Sequence, residues 1–400
     1  MRDLLRHIEQ TGAHLVLIDH ADRLPPAIAA HSARLELSLP DEAELEKLVV
    51  EGLRRANRQS PIRILTRRDG ILAVARGLRG LTRSQAERVV FDTVSDDRTF
   101  DDADVEGALA QKRRLLGGDG VLESIEIPAS MEDLGGMDNL KDWLRRRSPE
   151  ALGAHAAAYG LEASRGVLIL GVQGAGKSLC AKAIAAAWRR SLLRLDPGAL
   201  YNSYIGASEQ RLRDALRQAE AMAPIVLWID EIEKGFASAA SRSTDGGLSQ
   251  RMFGSLLTWM QEHRSPVFLT ATANDIEALP PELLRKGRFD EIFFVDLPSR
   301  RVREDICAIH LKKRNQDPKS FDLGALAEAS RGRSGAEIEQ AIISASYDAL
   351  DAGKPLNADM IVRCLERSPP LSVTMRERIA ALRAWAKSRC VPADSRGPDD

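Results

Sequence analysis

Eight consecutive residues carry the clearest chemistry in the chain. Gly171-Val172-Gln173-Gly174-Ala175-Gly176-Lys177-Ser178 fits the pattern G-x-x-x-x-G-K-[ST]. Glycines let backbone N–H groups close around phosphate oxygens, and a following helix N-terminus adds positive potential. In such a loop Lys177 reaches the β- and γ-phosphates, and the Ser178 hydroxyl ligates Mg²⁺. Downstream, Ile225-Val226-Leu227-Trp228-Ile229 is an apolar run that ends in two acids, Asp230 and Glu231. Asp230 is placed to help hold the metal. Glu231 is placed to orient and polarise an attacking water, as phosphoryl transfer to water requires. Asn274 closes the next apolar run and offers a polar group for the same water.

These residues need a frame. Val167 to Leu170 reads as a strand entering the glycine loop, and Ser178 to Arg190 as an alanine-rich helix leaving it. Ile225–Ile229 and Val267–Ala271 read as further buried strands. Short apolar runs alternating with helices predict a parallel sheet in an α/β domain. From Arg300 to Arg367 the pattern is helical, with Ser334-x-x-Glu337 as a capping box. Thr374 to Arg389 reads as one more helix, and the polar tail after Pro392 as free. The glycine-rich Gly117–Gly120 and the extended Ile125–Pro128 place a domain boundary near residue 120.

A weak internal repeat precedes that boundary. Leu15–Asp19, Leu24-Pro25-Pro26 and Leu35–Pro40 run parallel to Phe268–Asn274, Leu279-Pro280-Pro281 and Ile292–Pro298. A capping box follows each copy, Thr82-x-x-Gln85 and Ser334-x-x-Glu337. The parallel is either a coincidence of two strand–turn–strand segments or a decayed second copy of the later module.

Composition narrows the class. Lys plus Arg number 57 against 58 for Asp plus Glu, which disfavours a protein built to coat nucleic acid or acidic lipid. No segment approaches the roughly 18 apolar residues of a membrane span. Acidic residues Asp3, Glu9 and Asp19 argue against a secretory signal. Four scattered cysteines without a Cys-x-x-Cys pair read as reduced thiols of a cytoplasmic protein. Arg145-Arg146-Arg147 reads as a solvated helix face. Cys180 reads as a small helix residue, and Trp259-Met260 as core.

The order of glycine loop, Asp230-Glu231, Asn274 and then Arg285-Lys286-Gly287-Arg288-Phe289-Asp290 resembles the AAA ATPase family. The resemblance implies an α/β module with a parallel-sheet phosphate-loop core at residues 131–299 and a helical lid at 300–370. A helix and tail follow at 371–400. A smaller α/β remnant precedes the module at residues 1–118, joined by a linker at 119–130. It implies ATP and Mg²⁺, with Gly171, Gly174, Ala175, Gly176, Lys177, Ser178 and Leu179 at the nucleotide and Ser178 and Asp230 at the metal. Catalytic roles fall to Glu231 and Asn274, and to Arg285 and Arg288, which match arginines that project onto a neighbouring subunit's γ-phosphate.

Asp133-Leu134-Gly135-Gly136 resembles the adenine-contacting segment, which assigns Asp133 and Gly135. Gly335-Ala336 matches the start of the lid helix over adenine. His310 falls where many members place a histidine near the nucleotide, although a structural histidine fits the residue equally well. The lid offers no arginine for the sensor position of some related clades. Tyr204 and Ile205, in Tyr204-Ile205-Gly206, match an aromatic–aliphatic–Gly loop that lines the pore of threading members; the alternative is a buried tyrosine packing a loop.

Trp228–Lys234, Leu257–Glu262 and Phe293–Pro298 resemble a subgroup of cyanobacterial, plastid and bacterial AAA proteins with a degenerate amino-terminal AAA-like region. Only thirteen residues precede His14, too few for the sheet a complete first copy needs. The first copy is therefore either truncated or packed on the second module. Lacking a phosphate loop and a Gly-Arg-Phe-Asp segment, it is not expected to hydrolyse ATP. The resemblance implies a homo-oligomeric, hexameric ring that hydrolyses ATP to remodel a protein client, without nucleic acid or membrane partners. A nucleotide-gated scaffold is the alternative.

Overall fold

The computed structural model of the chain describes residues 39–66, 68–95, 99–101, 104, 107, 108, 111, 112, 121–126, 130–148, 159–200, 207–235, 248–285 and 287–395, with the single residues 11 and 16. Most of Leu15–Asp19 and of Leu35–Pro40, and all of Leu24-Pro25-Pro26 in the first copy of the internal repeat, lie outside these residues, as do Tyr204 and Ile205.

Amphipathic spacing builds the amino-terminal region. In α1 (Glu42–Gln59), Leu45, Val49, Leu53 and Ala56 recur at helical intervals and are buried. Asp41 caps this helix, its Oδ1 accepting from the Glu44 N–H at 2.8 Å. Helices α2 (Arg68–Gly77) and α3 (Arg83–Ser95) follow. Thr82 and Gln85 form the capping box that the sequence implied, with bonds of 2.9 and 3.3 Å. A parallel pair of two-residue strands, β1 (Arg63–Ile64) and β2 (Thr99–Phe100), completes this mainly helical region. Its apolar face shares one core with the larger domain, and Arg79 Nη1 donates to the Ala223 carbonyl at 2.7 Å.

The larger domain is built on seven strands: β3 (Leu122–Ile125), β4 (Gly166–Gly171), β5 (Ser191–Leu195), β6 (Ile225–Ile229), β7 (Val267–Ala273), β8 (Glu291–Val295) and β9 (Val391–Pro392). Their order is β3-β5-β6-β7-β4-β8-β9. Strands β4, β6 and β7 are buried throughout, which explains their unbroken apolar runs. Around them lie α4 (Asp138–Arg146), α5 (Lys177–Ala187), α6 (Ala207–Ala221) and α7 (Leu248–Glu262). Trp259 and Met260 do pack core, and the Trp259 Nε1–H donates to Glu220 at 2.6 Å.

Three expectations need correction. The sheet is mixed: β3 runs antiparallel to β5, whereas the remaining pairs are parallel. Residues 122–125, read as linker, are this edge strand; the polar Glu123 and Ser124 suit an edge with one exposed side. The tail after Pro392 is docked through Ser395. Val391 and Pro392 pair with Phe293 and Phe294, and Ala393 is buried. The edge of β8 would otherwise present unpaired peptide groups.

Beyond the sheet, α8 (Arg300–Lys312), α9 (Leu323–Ala329), α10 (Gly335–Asp351) and α11 (Ala358–Glu366) pack around their own core of Leu311, Leu326, Ile338, Ile342 and Ile361. Helix α12 (Arg376–Ala386) then returns to the sheet. Its Ile379 packs with Val172 and Leu297, and Arg383 Nε pairs with Asp296 Oδ2 at 2.8 Å.

Gly171 sits where β4 turns into the glycine loop, with φ +148°, and an added Cβ would stand 1.9 Å from the Val295 carbonyl oxygen. Gly171→Ala is therefore expected to destabilise the fold by about 3 kcal/mol, because both strain and a backbone clash oppose it. Denaturant unfolding measures this, and a midpoint equal to wild type would contradict it.

Candidate functional site

Strands β4, β6 and β7 are parallel neighbours, so their C-terminal ends open on one edge of the sheet. That edge is where α/β sheets collect ligands. Strand β4 delivers the glycine loop there, β6 delivers Asp230-Glu231 and β7 delivers Asn274.

Register makes the acidic contacts. Ile229 pairs with Ala271, so the next residues on each strand, Asp230 and Thr272, meet side by side. Thr272 Oγ1 lies 2.5 Å from Asp230 Oδ1, and Ser178 Oγ reaches the same oxygen at 3.0 Å. The Glu231 N–H donates to Thr272 Oγ1 at 3.0 Å, which helps hold Glu231 at φ +48°, a strained value for a non-glycine residue. Asn274 Nδ2 donates to Glu231 Oε1 at 2.7 Å. The other oxygen, Oε2, pairs with Lys234 Nζ at 2.5 Å. Serine, aspartate, threonine, glutamate and asparagine thus form one hydrogen-bonded line.

Gly171, Gly174 and Gly176 all hold positive φ, giving the loop its closed path. Gly176 is also the N-cap of α5 and offers no side-chain cap, which leaves first-turn N–H groups facing the loop. Lys177 is buried, and its Nζ donates to the Gly171 and Val172 carbonyls at 3.0 and 2.7 Å. Burial pulls its ammonium down to about 8, with Glu233 and Asp230 opposing. A buried cation ringed by glycine backbone and an uncapped helix fits a polyphosphate, and the Ser178–Asp230 oxygen pair fits Mg²⁺.

The helical cluster meets this loop directly. The Ala336 N–H donates to the Gly174 carbonyl at 3.1 Å, and an added Cβ on Gly335 would stand 3.6 Å from the same oxygen. Ala175 and Leu179 are half-buried against the core around α5. Met137 joins the preceding segment to the loop; its Sδ lies 3.3 Å from Cys180 Sγ. Asp133 pairs with Lys313 at 3.0 Å. Burial pushes the Asp133 carboxyl up, but the Ser130 N–H and Lys313 hold it below the ordinary value. A Cβ on Gly135 would stand 2.7 Å from Ile306 Cγ1, so α8 closes over this segment. His310 Nδ1 lies 3.3 Å from Glu339 Oε1, and burial, against the pull of Glu339, lowers its pKa.

Arg285 and Arg288 stand apart from this assembly. Arg285 is exposed. Arg288 is half-buried, and among the described residues its Nε and Nη1 have no hydrogen-bond partner. Among the described residues no hydrogen bond or ion pair joins either arginine to the glycine loop.

Two site residues escaped the sequence reading. Thr272 is a hydroxyl in a buried strand, two positions before Asn274 and on the same face, a pattern that marks it in retrospect. Glu233 is buried, accepts the Asn274 N–H at 2.9 Å, and has its carboxyl pushed up by burial.

A fold and site of this kind define a nucleotide-binding α/β module. The family model for ATPases associated with various cellular activities (AAA) matches residues 167–297, and that for the second domain of SpoVK-like AAA ATPases matches residues 43–119. The chain is 35% identical over 387 residues to the AAA domain-containing protein ycf46 of Pyropia yezoensis, covering 96% of this chain and 77% of that one. Its counterpart in Gracilaria tenuistipitata var. liui is 36% identical over 389 residues, covering 97% and 78%. The proteasome-activating nucleotidase of Aeropyrum pernix is 34% identical over 216 residues, covering 52% of each chain. The chain belongs to the AAA family of ATPases and resembles its ycf46 proteins over most of its length. Membership implies ATP hydrolysis. Among the described residues no helix is long and apolar enough to cross a membrane.

Proposed function

We propose that the chain is a ring-forming ATPase that uses hydrolysis to remodel a protein partner, acting in the cytoplasm. The observation that carries its chemistry is the hydrogen-bonded line Ser178–Asp230–Thr272–Glu231–Asn274 beside the Lys177 cradle. Gly171 to Leu179 bind the phosphates, with Lys177 exchanging its bonds to backbone carbonyls for phosphate oxygens. Asp133, Gly135, His310, Gly335 and Ala336 enclose the base and ribose. Ser178 and Asp230 would hold Mg²⁺, which would supply positive charge to offset that of the phosphates.

Glu231 orients the attacking water and takes up its proton. Both of its oxygens are engaged, by Asn274 and Lys234, so it must yield one to the water. Asn274 then keeps the carboxylate and water aligned. Thr272 holds Asp230 and the Glu231 backbone at once, which fixes the distance between metal ligand and base.

The ring reading is supported by Arg288. A partly buried guanidinium with two unsatisfied donors is costly unless an anion arrives from elsewhere. A neighbouring subunit's γ-phosphate supplies one. Arg285, exposed beside it, is the second candidate. Tyr204 and Ile205 would line the pore and grip polypeptide, since an aromatic ring gives contact area with few rotamers to freeze. The smaller amino-terminal region, which has neither a phosphate loop nor a Gly-Arg-Phe-Asp segment in its sequence, is not expected to hydrolyse ATP.

Two measurements test this. Arg288→Ala should lower kcat about 10²-fold while leaving ATP binding intact. Mixing it with Glu231→Gln should restore part of the activity, since some interfaces then carry both intact groups. Normal hydrolysis by Arg288→Ala would remove the finger assignment. Tyr204→Ala should keep basal ATPase activity and lose unfolding of a model substrate; remodelling at the normal rate would leave a scaffold role instead.

A further inference from the structure

After α12 the chain returns along the exposed edge of β8 and touches the segment that precedes the glycine loop. The Ala393 N–H donates to the Phe294 carbonyl at 2.8 Å, and the Ala393 carbonyl accepts from the Leu140 N–H at 3.1 Å. Asn139 Nδ2 donates to the carbonyls of Pro392 and Asp394, each at 3.0 Å. One side-chain amide therefore spans both sides of buried Ala393. Asp394 reaches further. Its Oδ2 stands 2.5 Å from where a Cβ on Gly136 would lie, and Val302 Cγ2 of α8 stands 2.6 Å from the same point. Gly136, at φ +63°, is thus clamped between the helical cluster and the C-terminal segment.

The clamp leads to the nucleotide site through Met137. That residue is buried at φ 60°, touches Cys180 in the first turn of α5, and has its Cε 3.4 Å from the Cβ position of Gly176. Asn139 and Asp394 are therefore separated from the phosphate loop only by Gly136 and Met137.

We infer that residues 391–395 form a strap that positions the Asp133–Met137 segment against the phosphate loop, with Asn139 as its positioning residue. This rests on the reading that ATP binds at that loop. Among the described residues no hydrogen bond joins the strap to the glycine loop, and the acidic line stands on β6 and β7, separated from β9 by β8 and β4. Its effect falls on affinity: without the strap, ATP binding must bear the cost of ordering the segment.

The test compares the full chain with Asn139→Ala, with the near-isosteric Asn139→Asp, and with a chain ending at Cys390. Binding is titrated with N-methylanthraniloyl-ATP and Mg²⁺, turnover is read as phosphate release, and backbone hydrogen exchange is followed over residues 133–140. Both Asn139 variants should weaken binding about tenfold, the scale set by two lost hydrogen bonds. Turnover at saturating ATP should change by less than about twofold, because affinity and chemistry are separate quantities. Exchange should rise over 133–140. Asn139→Asp keeps the shape but loses the donors, so wild-type affinity in that variant would overturn the inference. Faster exchange with unchanged affinity would also overturn it, leaving the strap a purely structural brace. If the shortened chain does not fold, the Asn139 variants decide. Failure of the wild type to bind the analogue, with Lys177→Ala indistinguishable from it, would refute the ATP reading itself and the strap's role with it.

Discussion

Lys177→Ala is expected to weaken ATP binding by about 10²–10³-fold, the cost of stripping a buried charge pair of one partner. The lysine is buried in the cradle, with its ammonium donating to two loop carbonyls. Those bonds are neutral on the acceptor side. Exchanging them for phosphate oxygens gives charge-assisted bonds, which are roughly twice as strong. Burial already draws the ammonium down to about 8, against the pull of Glu233 and Asp230, so at pH 7 it is charged. Alanine removes that charge and leaves the phosphates only backbone donors. Calorimetric titration with Mg²⁺ and ATP measures the change. An affinity within about threefold of wild type, well under 1 kcal/mol, would remove the loop from the site.

Glu231→Gln is expected to lower kcat about 10³-fold, within the range for losing a general base, while ATP binding stays near the wild-type value. The amide keeps the length and shape of the side chain and can still accept from Asn274 Nδ2. It loses the negative charge that pairs with Lys234 and the basicity that draws a proton from water. The strained backbone at φ +48° is fixed by Thr272 through the Glu231 N–H, so the substitution should not relax it. Single-turnover hydrolysis separates the two effects. Turnover above about one tenth of wild type would assign the base elsewhere, since that loss is smaller than a base contributes.

The parts of the site written in short contiguous stretches were readable. The glycine loop, the Ile225–Glu231 run and Asn274 each depend on local composition: glycine for backbone closure, apolar residues for a buried strand, acids at its end. The helical cluster was readable through the Ser334–Glu337 box, which the structure closes with a 2.7 Å bond from the Ser334 N–H to Glu337. What depended on pairing between distant segments was not. Thr272 matters because Ile229 pairs with Ala271, and no spacing within either strand states that register. Leu122–Ile125 is short, half polar and antiparallel, so its sequence resembles the linker it was read as. Val391-Pro392 carries a proline and polar neighbours, which signal a loop; its partner Phe293-Phe294 and its anchor Asn139 lie far away in sequence. Arg288 was legible as an arginine in a family pattern, but its buried, unsatisfied donors became visible only in the fold.

The central claim is that this one site binds ATP through Lys177 and hydrolyses it through Glu231. Its most direct test is the identity of the nucleotide retained after each protein is incubated with Mg²⁺ and labelled ATP and rapidly separated from free nucleotide. Wild type should yield ADP, Glu231→Gln should retain intact ATP, and Lys177→Ala should retain neither. ADP formed by Glu231→Gln at the wild-type rate, or ATP held by Lys177→Ala as tightly as by wild type, would contradict the claim.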